Sequence, residues 1–552
     1  MRKILFFAFA LFFQTAFAEI DKDAVYVVAN ASDAQSVELA EFYCSLRNIK
    51  HDNIILLDLP KNRPFLSRAE YVRLLENPLF EKLVAKGAVS ATPIGSADAF
   101  GRCDYLLSRV NLDFLVLCRG IPWGISTRNP SSRAINSAAT EEASVDSEIS
   151  ARFIPHKMKN SVRNPVYKRD AETWRAYGLV RTARLDGATL ADVKNALLKT
   201  LEAERRGLRG RAYIDKSLRA RLGDIWLEKA AEHLRAEGFD VDVESTRALF
   251  PLTRRFDYPA YYFGWHSSWL QGYFSLPEFR VSDGMVGWQI YSFSALSMRS
   301  RAFWTPMFVS KNAGATDGNV FEPFLALTRD ISEFSRLYFG AKMLPAEAAF
   351  AALPALSWQS VYVGDPLYNP HKKTLEMQIA DIDAGKIDEL SQYALIRRAN
   401  IVARENGNGA AAEFLGKYAG KIPDTALVWK MLELSPESEK GRFAETLFSR
   451  DIFADIQYSG LAFELSRYFE KNGDAPKALH ILEAIVGIRK GALQQSAAKE
   501  AERAAKAAGL QLSEKTVAVL NEIAAQKMRQ LEREQKRRAQ NEQKKRAQKQ
   551  AK

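Results

Sequence analysis

The sequence predicts an α/β fold, with a mostly parallel sheet that carries helices on both faces, followed by an all-α region. Short apolar runs without polar alternation are typical of strands that are covered on both sides. These runs alternate with amphipathic helical patterns, which favours right-handed crossovers and a doubly wound sheet. Beyond about residue 370 the strand-like runs stop, and the chain becomes rich in Ala, Leu, Glu and Lys.

The predicted elements follow in chain order. A buried strand at 24–29 precedes a helix at 36–47 and a second strand at 54–58. A helix at 67–86 leads to a third strand at 113–118. The pattern then stops in a segment rich in Ser, Arg, Asn and Pro at about 126–169, which predicts a long excursion. Regular structure is expected to resume at 176–180 and to continue at 211–215, with helices at 190–206 and 218–237. Further strands are predicted at 239–243, 259–264 and 285–291.

The chain is expected to divide into four parts. Residues 1–18 have the charged start, apolar run and small-residue end of a secretory signal, so we expect cleavage near Ala18 and a periplasmic or secreted protein. A membrane anchor is the alternative, but the apolar run is shorter than a bilayer requires. The other parts are an α/β domain at 19–370, a helical domain at 371–525 and a basic tail at 526–552.

The positive charge of the chain is concentrated in its tail. The formal net charge is +12, and residues 527–552 contain 11 Lys or Arg against three Glu, an excess of 8. Charge alone could hold this tail weakly to anionic envelope surfaces. A solvated helical extension is the alternative. With export expected and no later segment apolar enough to span a membrane, neither a nucleic-acid partner nor a transmembrane segment is predicted.

One helical pair resembles a tetratricopeptide repeat. Leu461, Leu465, Gly473 and Ala478 occupy positions where small and apolar residues let two helices pack closely. A weaker repeat-like pattern occurs at 395–415, and an ordinary helical bundle is the alternative. The helical domain is therefore expected to engage a polypeptide or cell-envelope partner.

The cysteines and histidines indicate no zinc site. Cys44, Cys103 and Cys118 are the three cysteines, and their spacing leaves open whether Cys103 pairs with Cys118 or all three are buried thiols. No zinc-type spacing occurs. No cofactor is predicted, although oxygen ligands in the Gly-rich turns leave a divalent cation open.

The candidate catalytic residues follow two neighbouring predicted strands. His266 comes after the strand at 259–264, and Ser292 and Ser294 come after the strand at 285–291. Ligands of open parallel sheets bind at the carboxyl ends of strands, so these residues are expected to share a crevice. His266 could act as a general base for either serine. The alternative is a structural histidine and turn-forming serines, since no Gly-x-Ser-x-Gly elbow surrounds them.

Seven further residues are candidates for ligand binding. Tryptophans offer faces for stacking, an arginine after a strand can bind a carboxylate or phosphate, and acidic or amide side chains can hold a ligand or cation. Each has a structural alternative in the core, in a salt bridge or in a turn. The candidates are Arg119, Trp265, Trp269, Asp317, Asn319, Glu322 and Asp365.

A set of short motifs resembles a family of exported bacterial proteins without an established activity. The motifs, within about 24–370, are Val28-Ala29-Asn30, Cys118-Arg119-Gly120-Ile121-Pro122, Arg184-Leu185-Asp186-Gly187, Gly264-Trp265-His266, Ser292-Phe293-Ser294-Ala295, Gly318-Asn319-Val320-Phe321-Glu322-Pro323 and Gly364-Asp365-Pro366-Leu367-Tyr368.

More distantly, the strand order is similar to the caspase-type fold of gingipain-like cysteine peptidases, in which a His-Gly tip and a Cys tip end adjacent strands. Here no cysteine follows Cys118, so a thiolate mechanism is excluded at the corresponding tip. The resemblance implies a peptidase-like scaffold that serves as a ligand- or polypeptide-binding or assembly module. The alternative is a peptidase- or esterase-type hydrolase that uses His266 with Ser292 or Ser294, or a bound metal.

Overall fold

The chain forms two compact units. A computed structural model describes residues 20–95, 97–126, 142–156, 160–169, 171–265, 267 and 270–550. The first unit contains the described residues up to Asp186 together with Ala326–Arg329 and Leu337–Leu367. The second contains Gly187–Leu325, Asp330–Arg336 and the described residues from Tyr368 onward.

The described residues contain seventeen strands, most of them short. In chain order they are β1 Val25–Asn30, β2 Ile54–Leu57, β3 Phe65–Leu66, β4 Val89–Ile94, β5 Asp104–Val110, β6 Phe114–Cys118, β7 Gly124–Ile125, β8 Ala143–Ser144, β9 Val162–Arg163, β10 Thr182–Leu185, β11 Arg211–Asp215, β12 Val241–Glu244, β13 Pro259–Trp265, β14 Val286–Ile290, β15 Ala315–Asn319, β16 Ala355–Leu356 and β17 Ser360–Gly364.

The α-helices are longest toward the C-terminus. In chain order they are α1 Ala34–Arg47, α2 Arg68–Glu70, α3 Asn77–Ala85, α4 Val145–Ser150, α5 Leu190–Arg206, α6 Arg221–Ala236, α7 Trp304–Ser310, α8 Ile331–Ser335, α9 Pro345–Ala351, α10 Leu375–Asp383, α11 Ser391–Gly416, α12 Thr425–Leu434, α13 Glu437–Ser449, α14 Ser459–Lys471, α15 Ala475–Ile488, α16 Gly491–Ala508 and α17 Glu514–Gln550.

The first unit is built on five parallel strands in the order β17-β10-β6-β1-β2. β1 and β6 are buried along their whole length, as their unbroken apolar sequences predict. α1 begins after Asp33, whose side chain accepts from the Gln35 backbone N–H, and ends at Asn48 in the left-handed conformation. These caps fix the length of the first crossover.

The second unit carries five more parallel strands in the order β12-β11-β13-β14-β15. An apolar core on one side of these strands includes Tyr262, Phe274 and Phe308, and it continues into the helices from α10 onward. The helical region therefore shares its core with this sheet and is not held by surface contacts alone.

The helices from α10 to α17 pack in sequence, each against the next along the chain. Ser466 on α14 donates to the Ala478 carbonyl of α15 at 3.0 Å, a contact that the small side chain of Ala478 permits. α17 is exposed over 526–543. Within the described residues, no helix has both the length and the apolar character needed to cross a bilayer.

The α/β class, the mostly parallel strands and the helical C-terminal region are confirmed. The segment at 126–169 was expected to be a long excursion without regular structure. Its residues 145–150 instead form the fully buried helix α4. Val145 and Ile149 pack in the apolar core, and the acidic side chains of the same helix form buried ion pairs: Glu148 pairs with Arg68 at 2.8 Å, and Asp146 pairs with Arg184 at 2.6 Å. Residues 127–141 and 157–159 of the excursion lie outside the described residues, as does the expected signal at 1–18.

Candidate functional site

Four parallel strands of the second unit end at the edge where the sequence predicts a crevice. β11 ends at Asp215, β13 at Trp265, β14 at Ile290 and β15 at Asn319. Because neighbouring strands run parallel, their last residues lie along one edge of the sheet. The residues that follow these strands are therefore the ones to compare with the predicted site.

The hydroxyl groups of Ser292 and Ser294 both form hydrogen bonds inside the protein. Half-buried Ser292 donates to the Glu322 carboxylate at 2.7 Å. Ser294 is buried, and its hydroxyl oxygen accepts from the Asn319 backbone N–H at 3.0 Å. Between the two serines, Phe293 has a φ of 66°, a left-handed conformation that costs an L residue roughly 1–2 kcal/mol. The serine side chains thus hold the turn after β14 against β15 and the segment that follows it.

Asp317, Asn319 and Glu322 shape the same turn region. Asp317 and Asn319 are buried, and the Thr305 hydroxyl donates to the Asp317 carbonyl at 3.0 Å. Glu322 also accepts from the Phe324 backbone N–H at 3.0 Å. Asp317 and Asn319 thus lie in strand β15, where a turn was the expected alternative, and only Glu322 has the contacts of a turn residue. Within the described residues, no group of three or more His, Cys, Asp or Glu side chains could hold a metal ion.

The tryptophans around this edge belong to the core. Trp265 is 7% exposed, and its indole N–H donates to Asp224 at 3.0 Å. Gly223 leaves room for that ring, since a Cβ there would lie 3.0 Å from it. Trp288 and Trp304 are buried as well. Their ring faces pack against protein, which is the structural alternative for these aromatics.

Two predicted ligand residues belong to the first unit. Half-buried Arg119 follows β6, and its backbone N–H donates to the Leu185 carbonyl at 2.8 Å. Asp365 follows β17 and is buried, where it accepts from the Tyr43 hydroxyl at 2.7 Å and pairs with Arg47 at 2.5 Å. Asp365 therefore anchors its corner to α1, as expected of a rigid turn.

Two other predicted residues, His266 and Trp269, lie outside the described residues. Their proposed roles as general base and stacking surface stay predictions. Of the predicted site, the structure brings together Ser292, Ser294 and the acidic and amide residues after β14 and β15. The pairing of Cys103 with Cys118 is not formed, and both are free thiols.

A buried polar chain at the same edge was missed by the sequence analysis. The Tyr262 hydroxyl lies 3.1 Å from an Asp215 carboxylate oxygen and 3.1 Å from the Gln289 amide oxygen. All three residues are at most 2% exposed. Burial raises the pKa of Asp215 to about 7, partly offset by hydrogen bonds from the Phe250 N–H and the Tyr262 hydroxyl.

A protonated Asp215 gives this chain a consistent set of hydrogen bonds. The single Tyr262 hydroxyl proton cannot be donated to two oxygens at once. If Asp215 is neutral, its own O–H donates to Tyr262, and Tyr262 donates to Gln289. Gly264 makes the arrangement possible, because a Cβ there would lie 2.5 Å from the Gln289 oxygen. A glycine inside a buried apolar strand was the sequence signal for this close approach.

Comparison of the chain with protein-family models, curated proteins and solved structures found no match. The interpretation of the site therefore depends on its geometry.

Proposed function

We propose that this chain is an exported ligand- or polypeptide-binding or assembly module on a peptidase-like α/β scaffold, and that hydrolysis is not its activity. The observation that carries the proposal is the bonding of the two candidate nucleophiles. In the hydrolase alternative, the serine hydroxyl donates to His266 as base while its oxygen faces the substrate. The Ser292 hydroxyl instead donates a hydrogen bond to Glu322, a carboxylate that also accepts from the Phe324 N–H, and Ser294 is buried with its oxygen accepting from the Asn319 N–H.

A fluorophosphonate probe tests this proposal, because it labels serines that are activated as nucleophiles. We expect the wild-type chain to be labelled no more strongly than Ser292→Ala. Ser294→Ala tests the second candidate in the same way. Stoichiometric labelling that is lost in His266→Ala and in either Ser292→Ala or Ser294→Ala would overturn the binding proposal and favour the hydrolase that uses His266.

The helical region is the proposed partner-binding part of the molecule. Helices that pack mainly against their neighbours in sequence form extended surfaces, which is the property that tetratricopeptide repeats use to bind polypeptides. The pair formed by α14 and α15 carries the repeat-like residues, with Gly473 between the helices at a φ of 84°. This arrangement supports a polypeptide or cell-envelope partner.

Export and a role for the basic tail complete the proposal. The sequence pattern of residues 1–18 supports cleavage near Ala18. N-terminal sequencing of the protein recovered from the periplasm or medium tests the cleavage. Deleting residues 527–552 and fractionating the cells tests the tail. A tail that contacts anionic envelope surfaces should shift the full-length chain, but not the shortened one, toward the membrane fraction at low salt.

A further inference from the structure

A large cavity lies in the second unit, away from the predicted crevice. Its volume is about 730 Å³, within the range of roughly 300–1,000 Å³ that small-molecule sites occupy. The cavity is lined by Arg209, Tyr258, Asp283 and Asn312, which come just before β11, β13, β14 and β15. It therefore opens at the amino ends of these strands, whereas the predicted crevice lies at their carboxyl ends.

Three parts of the second unit form the walls. The last turns of α5 and α7 contribute one side, and the loop at 270–283 contributes another. The segment just before α11 closes the cavity with Asp388, which pairs with Arg206 at 2.7 Å and with Arg209 at 2.6 Å. These two ion pairs fix the helical region against the sheet at this point, so the walls are preformed.

The side chains of the cavity carry a small excess of positive charge. Six cationic side chains line it against four carboxylates. Arg301 pairs with Asp192, outside the lining, at 2.7 Å, so an excess of one charge remains, and the C-terminal ends of α5 and α7 reduce it further. The cations are Lys199, Arg206, Arg209, Arg280, Arg301 and Lys311, and the carboxylates are Glu202, Asp283, Asp388 and Glu389.

Lys311 contributes charge that no carboxylate of the described residues neutralises. Its ammonium group donates to the carbonyls of Leu276, Pro277 and Phe279 at 2.7, 2.9 and 2.8 Å. Burial and the nearby Arg301 lower the pKa of Lys311 to about 8, so the group is still mainly protonated at pH 7. Lys311 thus holds the loop of the cavity and adds to its positive potential.

Two cations of the cavity can leave their carboxylate partners and bind a ligand at a small cost in free energy. The side chain of Arg280 is 58% exposed, and its carboxylate partner Glu389 is 3.5 Å away. The side chain of Lys199 is 45% exposed and pairs with Asp283 at 3.1 Å. Exposed pairs of this kind contribute about 0–1 kcal/mol, so an anion can replace the carboxylate partner.

The wall beside these cations is apolar. Leu270 and Leu390 line the cavity and are half-buried, and Pro277 lines it and is exposed. An inorganic anion would leave this surface exposed to water, whereas an apolar body attached to the anion would cover it. We propose that the cavity binds a small molecule that joins one anionic group to an apolar body, with Lys199 and Arg280 on the anion and the Leu and Pro side chains on the body.

The test uses the full chain and two dyes that share an aromatic body. 8-Anilinonaphthalene-1-sulfonate carries a sulfonate, and N-phenyl-1-naphthylamine is its neutral counterpart. We expect the sulfonate dye to bind with a stoichiometry near one, and at least about tenfold more tightly than the neutral dye, because charge-assisted contacts add affinity. Equal affinity for the two dyes would overturn the proposal.

Variants locate the binding within the molecule. Lys199→Gln combined with Arg280→Gln should weaken binding of the sulfonate dye by about tenfold or more and change binding of the neutral dye by less than about threefold. Arg205→Gln is the matched control, since Arg205 lies on the same helix and pairs with Glu202 without lining the cavity. Arg280→Lys keeps the charge and should retain most of the affinity. Unchanged sulfonate binding in the double variant, with a wild-type circular dichroism spectrum, would refute the site. The proposal does not depend on the crevice, so fluorophosphonate labelling and dye binding can fail independently.

Discussion

Replacing Asp215 with asparagine should change how the stability of this protein depends on pH. The ordinary pKa of an aspartate is 3.8, whereas burial raises that of Asp215 to about 7 in the folded chain. Below the ordinary value the carboxyl is neutral in both states and folding bears no penalty. Between the two pKa values, the carboxyl ionises in the unfolded chain but stays protonated in the folded chain. The contribution of Asp215 to the free energy of unfolding therefore decreases as the pH rises to about 7 and is constant above that pH.

The expected magnitude follows from these two values. At 1.36 kcal/mol per pH unit, the interval from 3.8 to about 7 corresponds to about 4 kcal/mol. Between pH 5 and pH 8.5 only the part above pH 5 is lost, about 3 kcal/mol. Asp215→Asn removes the titrating group, and its amide oxygen still accepts from the Phe250 N–H. The stability of the variant minus that of the wild type should therefore increase by about 3 kcal/mol from pH 5 to pH 8.5.

Urea unfolding at both pH values, followed by tryptophan fluorescence, measures this difference. Other titrating groups contribute equally to both proteins and cancel in the subtraction. When Asp215 is ionised, the Tyr262 hydroxyl donates to it and lowers its pKa, so Tyr262→Phe should extend the loss of stability to higher pH. A variant-minus-wild-type difference that stays constant within about 1 kcal/mol between the two pH values would refute the neutral Asp215 and the hydrogen-bond chain derived from it.

Three further outcomes are expected. Asp365→Ala should destabilise the fold by about 3–5 kcal/mol, because it removes the carboxylate partner of the buried Arg47 guanidinium. Tyr43→Phe removes only one hydrogen bond to Asp365 and should cost about 1.5–3 kcal/mol. Equal effects of the two substitutions in urea unfolding would argue against this anchor. Gly264→Ala should cost roughly 1–3 kcal/mol in the same assay, since its methyl would lie 2.5 Å from the Gln289 oxygen; an unchanged midpoint contradicts the close packing. Of the three thiols only that of Cys103 is half-buried, so Ellman's reagent should titrate one thiol in the native chain and three after unfolding, whereas a single thiol after unfolding would indicate a disulfide.

The elements found from sequence are those that bury apolar side chains. The runs at 24–29, 113–118 and 259–264 form strands because each is apolar apart from Asp113, which precedes β6. β10 was missed, and regular structure was expected at 176–180 instead, because β10 contains Arg184, which is fully buried against Asp146. β15 was interpreted as a Gly-rich turn because it contains polar residues, although they are buried; its Asn319 N–H donates to Ser294, and its Asp317 carbonyl accepts from Thr305.

The same limit applies to the site. Strand ends can be identified from sequence, so His266 and Ser292 were expected at one edge of the sheet. The bond made by the Ser292 side chain depends on a residue that is distant in sequence, Glu322, thirty positions later. The cavity was missed entirely because its lining is dispersed between residues 199 and 390, with no local pattern.

The motifs that make this sequence conspicuous in the first unit hold parts of its sheet together. Asn30 donates from its amide to the Gly120 carbonyl at 3.2 Å, and Arg184 donates to the carbonyls of Ile121 and Pro122 at 2.9 and 3.0 Å. Three separate motifs are thus joined at the carboxyl ends of β1, β6 and β10, where a ligand would otherwise be sought. Residues that satisfy one another's polar groups in a buried position are constrained by architecture. In the second unit, by contrast, the amino ends of the strands face a preformed cavity in which the cations Lys199 and Arg280 are exposed, so that edge is where binding should be measured first.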